Sequence, residues 1–115
     1  MLGMTFLDVP ITCDYGEASR RVEQWSLDNK LSNMSRDPSV RRYRNSTGIL
    51  SNSNIIIEVV IGDGVVHARG YIQTLLKFVT WKLVFPQQES WLDSLDRRRR
   101  GGVMMMKLKA ALEMR

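Results

Sequence analysis

A small α+β fold is predicted by three features of the chain. A β-branched run at residues 55–61 closes on Asp63-Gly64, and amphipathic patterns lie at residues 14–31 and 103–115. An antiparallel hairpin, or a three-stranded sheet if residues 78–85 add a strand, is expected to be packed by short helices, with a basic C-terminal helix or tail. With 115 residues the chain holds one domain at most. It divides into a small α+β domain over 1–96, with a loop at 32–54, and a basic Met-rich segment over 97–115. A hydrophobic content of 43% with 25% charged residues suits a globular chain and argues against wholesale disorder.

The N-terminal stretch, residues 1–13, has no basic leader region, and Asp8 and Pro10 interrupt its apolar run. It does not read as a signal peptide. Asp14 then caps a helix over residues 14–31, with Glu17 at capping-box spacing. Ala18, Val22 and Trp25 form its narrow apolar stripe.

Residues 32–54 read as a loop, rich in Ser, Asn, Arg and Asp and punctuated by Asp37-Pro38 and Thr47-Gly48. Within it Arg41, Arg42 and Arg44 surround Tyr43. Guanidinium groups clamp phosphates and an aromatic ring stacks on an unpaired base, so this cluster is a candidate nucleic-acid contact. The competing reading is a solvated loop with one anchoring tyrosine.

The hairpin is the best-specified element. An Asp-Gly pair between β-rich runs predicts a two-residue turn with both residues at positive φ. That turn places Gly62 opposite Val65, Ile61 opposite Val66, Val60 opposite His67, Val59 opposite Ala68 and Glu58 opposite Arg69. An opposite-charge pair of this kind is worth roughly 0.2–1 kcal/mol. A loop one residue longer would set Glu58 against Ala68 and lose the pairing. The same register gathers Ile55, Ile57, Val59, Ile61, Val66, Ala68 and Ile72 on one face. For residues 72–85 two readings stay open: a helix over 72–80, from the spacing of Ile72, Leu75, Leu76 and Val79, or a strand over 78–85.

Residues 90–96 read as a short helical turn carrying Trp91, Leu92 and Leu95. Arg97, Arg98, Arg99 and Arg100 with Gly101-Gly102 read as a hinge before the last helix. In that helix Met105, Leu108 and Leu112 share a face rimmed by Lys107 and Lys109.

Charge separates the two segments. Residues 97–115 carry seven Lys/Arg against Glu113 alone, whereas 1–96 carry ten against eleven acids, so the net +5 resides at the C-terminal end. Such an end seeks an anionic partner or remains a solvated appendage. Arg97, Arg98, Arg99 and Arg100 with Lys107 and Lys109 are therefore candidate nucleic-acid-binding residues beside Arg41, Arg42, Tyr43 and Arg44. The four-arginine run also fits a nuclear-import patch; otherwise the chain reads as cytoplasmic.

No residue set supports catalysis. Gly62-x-Gly64 lacks the third glycine of a dinucleotide fingerprint. His67 is the sole histidine and Cys13 the sole cysteine, which leaves neither a metal-ligand cluster nor an intrachain disulfide. No stretch of eighteen apolar residues is present, so no spanning helix is expected. The sequons at Asn33 and Asn45 matter only in a secreted protein.

The function expected from these residues is a non-enzymatic accessory protein, without cofactor or metal, that binds nucleic acid, RNA before DNA, through its arginine clusters. The alternative is a virus-encoded matrix-like protein or adaptor. It would contact an anionic membrane, a protein partner or a second copy of itself through Met105, Leu108 and Leu112 of the C-terminal amphipathic helix.

Overall fold

The computed structural model describes residues 3–45, 54–73, 80–83 and 97–113. Five antiparallel strands, β1 (Thr5–Pro10), β2 (Leu31–Asn33), β3 (Arg41–Asn45), β4 (Asn54–Ile61) and β5 (Val65–Gln73), run in the order β1-β5-β4-β3-β2. A short β6 (Thr80–Lys82) pairs with Tyr71–Gln73 of β5, where the pairing to β1 has ended. Helices α1 (Tyr15–Asp28) and α2 (Arg97–Glu113) contribute to the hydrophobic core that the inward sheet face also builds.

The central hairpin has the expected register. Glu58 pairs with Arg69, Val60 with His67 and Ile61 with Val66, and the amide of Gly62 donates to the carbonyl of Val65 at 2.8 Å. One detail differs: Gly64 alone takes positive φ, at 77°, and Asp63 does not. The turn therefore requires its glycine at one position rather than permissive residues at two. Strand alternation buries Ile55, Ile57, Val59 and Val66 completely.

The expected loop at 32–54 is instead partly sheet. Its first residues form β2, and Arg41–Asn45 becomes β3, paired with β4 through Arg42–Glu58, Tyr43–Ile57 and Arg44–Ile56. Between them Asp37 closes a turn, accepting from the Ser39 amide at 2.9 Å and, through its carbonyl, from Val40 at 3.1 Å. The stretch 1–13, read only as an interrupted apolar run, supplies edge strand β1 from Thr5–Pro10. There Leu7 and Val9 turn inward while Phe6, Asp8 and Pro10 turn out. At the ends of the helix expected over 72–80, Ile72 and Gln73 instead close β5 and Thr80 begins β6, which falls within the alternative strand reading of 78–85; residues 74–79 lie outside the described residues. The helical turn expected at 90–96 lies outside the described residues.

Asp14 caps α1, accepting from the Glu17 amide at 2.8 Å. The capping box is only half formed, because the Glu17 carboxylate turns to Arg20 and Arg21 instead. Those two guanidinium groups hold its carboxyl down to about 2. Ala18, Val22 and Trp25 are buried as their spacing predicted.

α2 overturns the expected hinge. Gly101 and Gly102 are helical and buried, and a Cβ at Gly101 would meet Leu83 at 2.5 Å. Gly101 permits close packing rather than bending. Met104, Met105, Leu108 and Leu112 share the core with Trp25, Val66 and Ala68. The described part of 97–115 is thus packed into the same body as the sheet.

Candidate functional site

β-Pleating divides the candidate residues of β3 between two faces. Arg41 and Tyr43 turn toward α1, whereas Arg42 and Arg44 share the outward face with their partners Glu58 and Ile56. The three arginines do not converge on one ligand.

The inward pair is structural. Tyr43 is 1% exposed, meets Trp25 edge to face with ring centroids 5.6 Å apart, and donates its hydroxyl to Glu23 at 2.8 Å. Burial first, then that hydrogen bond, pushes its phenol up to about 12. Arg41 donates to the same Glu23 at 3.0 Å and to Ser19. A ring enclosed in this way cannot stack on a base.

Met105, Leu108 and Leu112 are likewise core residues, at 0%, 0% and 3% exposure. The face on which the adaptor reading relied is covered by the protein itself. Lys107 is exposed, and Lys109 lies 3.7 Å from Glu113. Arg97, Arg98, Arg99 and Arg100 occupy the first turn of α2, which contains no acid.

The outward sheet face brings together what the sequence left scattered. Cross-strand partners share a face, so the pairings define rows across it. One row runs Asp8, His67, Val60; the next runs Phe6, Arg69, Glu58, Arg42. Glu58 is the hub of the second row, its side chain only 11% exposed. It accepts from Arg69 at 3.0 Å and from the Tyr71 hydroxyl at 3.0 Å. Arg42 reaches that hydroxyl at 3.4 Å.

The hydrogen bond to Glu58 holds the Arg69 guanidinium more firmly protonated than usual. Burial, followed by the Glu58 charge, pushes the Tyr71 phenol up. The Nε atoms of Arg42 and Arg44 are buried without a hydrogen-bond partner among the described residues. Phe6 is 66% exposed at the open end of the row. Asp8 and His67 pair beside it at 2.7 Å.

A cleft of about 770 Å³ separates α1 from α2 around Trp25, Arg20 and Lys107. Much of its polar wall is already engaged internally: Glu17 with Arg20, Gln24 with Asp28, and Asn29 with the Trp25 carbonyl.

Among the described residues no three His, Cys, Asp or Glu side chains cluster as metal ligands, and no helix is long and apolar enough to cross a membrane. No protein-family model, curated protein or solved structure matches the chain.

Of the outward residues, the Glu58–Arg69 pair was legible from hairpin register. Phe6 was missed because Asp8 and Pro10 obscured the strand that displays it. The signal was present nonetheless in the alternation Phe6-Leu7-Asp8-Val9-Pro10.

Proposed function

We propose that the protein is a non-enzymatic nucleic-acid-binding accessory protein whose cations grip the phosphate backbone. One observation carries this reading: four arginines fill the first turn of α2 with no acid among them. A helix N-terminus already bears about half a positive charge, so a run of four arginines there concentrates positive potential at one end of α2. Phosphates match that potential and the bidentate geometry of guanidinium. The outward face adds Arg42 and Arg44 from β3 and Arg69 from β5, on either side of β4, whose Glu58 accepts from Arg69 and Tyr71.

The test is oligonucleotide affinity as a function of salt. If about six phosphates are engaged, log affinity falls with log salt at a slope of about −5 on duplex or −4 on a single strand. Replacing Arg97, Arg98, Arg99 and Arg100 by Gln flattens that slope. A salt-independent affinity, or no binding at low salt, removes the proposal.

A further inference from the structure

We propose that the exposed part of the outward sheet face around Phe6, Arg69 and Val60 is a stacking platform for single-stranded nucleic acid, with Phe6 receiving a base and Arg69 the adjoining phosphate. This rests on the nucleic-acid reading above and narrows it to one substrate class.

The argument begins with the exposure of Phe6. A phenylalanine ring 66% exposed forgoes roughly 1.5–3 kcal/mol of burial. Register, not looseness, holds it there. β1 is paired residue by residue with β5 from Thr5–Gly70 to Pro10–Val65, and the Thr5 hydroxyl ties the strand to the Leu83 carbonyl at 2.7 Å. Leu7 and Val9 occupy the inward positions, so slipping the strand by one residue to hide Phe6 would expose both. The ring is fixed outward.

Its surroundings suit a base and a phosphate. Directly opposite stands Arg69, with Cβ atoms of such partners about 4.5–5.5 Å apart. The Arg69 side chain is 47% exposed and donates to Glu58 from Nη2. A guanidinium has five N–H groups, so donors remain for a phosphate. Val60, 37% exposed, lies in the neighbouring row and gives the platform a second apolar point. Asp8 and His67 close the other end; the carboxylate there repels a phosphate and directs the backbone toward Arg69 and Arg42.

A single strand can place a base face on the ring and a phosphate on the arginine together. In a duplex the base faces are stacked within the helix, so Phe6 has nothing to receive.

The experiment compares a labelled single-stranded 20-mer with its matched duplex, using the full chain and Phe6→Ala, Phe6→Trp and Arg69→Gln variants. Thermal melts confirm folding, which Phe6→Ala leaves intact because the ring is exposed. The expected result is tighter binding to the single strand, about ten-fold lost in Phe6→Ala and retained in Phe6→Trp, with the duplex unaffected. Equal binding of both forms, or a Phe6→Ala variant that binds the single strand as the parent does, overturns the platform while the nucleic-acid reading stands. Binding of neither form overturns both.

Discussion

Leu83 fills the space that a side chain at Gly101 would need: a Cβ there would fall 2.5 Å from Leu83 Cδ2. Gly70 on β5 meets the same leucine from the sheet side, its Cβ falling 2.5 Å from Leu83 Cδ1 and 2.7 Å from Met105 Sδ. Leu83, 4% exposed, is therefore the wedge between β5 and the start of α2. Gly101→Ala and Gly70→Ala are each expected to destabilise by about 1–3 kcal/mol through overpacking, and Leu83→Ala by about 2–5 kcal/mol. Combined, they should not add. With the leucine shortened, Gly101→Ala becomes neutral or gains up to about 1 kcal/mol from helix propensity. Denaturant midpoints for the four proteins of the cycle measure this coupling. Additivity within about 0.5 kcal/mol would mean that something other than Leu83 excludes the Cβ.

Gly101 illustrates what the sequence could convey. A Gly-Gly pair after four arginines predicts a break when read locally; the close approach of Leu83 that Gly101 admits is set by tertiary packing. The hairpin was legible to the residue because its turn, its β-branched runs and its one opposite-charge pair agree on a single register. β3 was hidden because Arg41-Arg42-Tyr43-Arg44-Asn45 contains one apolar residue and borrows its order from β4. The candidate site fared similarly. Its charges were visible, but the division of Arg41 and Tyr43 from Arg42 and Arg44 needed the pleat, and Phe6 needed a strand that Pro10 disguised.

Burial of Tyr43 has a consequence at alkaline pH. The phenol titrates near 10.0 when solvated and is pushed up to about 12 in the fold. A raised native value means that the protonated form is the one the fold favours. Its contribution is complete below about pH 10 and is lost as pH rises toward 12. Chemical denaturation across that window should show stability falling, with a smaller fall in Tyr43→Phe. At neutral pH Tyr43→Phe forfeits the hydrogen bond to Glu23, about 1 kcal/mol. A parent and variant with identical alkaline limbs would show that Tyr43 is not the titrating group.

Removal of residues 97–115 tests whether the charged end is an appendage or part of the fold. Met104, Met105, Leu108 and Leu112 are each at most 6% exposed, and each buried side chain of this size is worth roughly 1.5–3 kcal/mol. Together they rival the whole net stability of a small domain, about 5–15 kcal/mol. Truncation also deprives Trp25 Nε1 of its acceptor, the Met104 carbonyl at 2.8 Å, leaving a buried donor unmet. It takes from Arg21 the carbonyls of Ala111 and Leu112 that tie α1 to α2. A chain ending at residue 96 is therefore expected to lose cooperative unfolding and near-ultraviolet circular dichroism. In the full chain, Leu108→Ala costs about 2–5 kcal/mol, whereas Lys107→Ala, at an exposed position, stays within about 0.5 kcal/mol of the parent. Retention of a sharp thermal transition by the shortened chain would place the core elsewhere and return the arginines to a detachable tail.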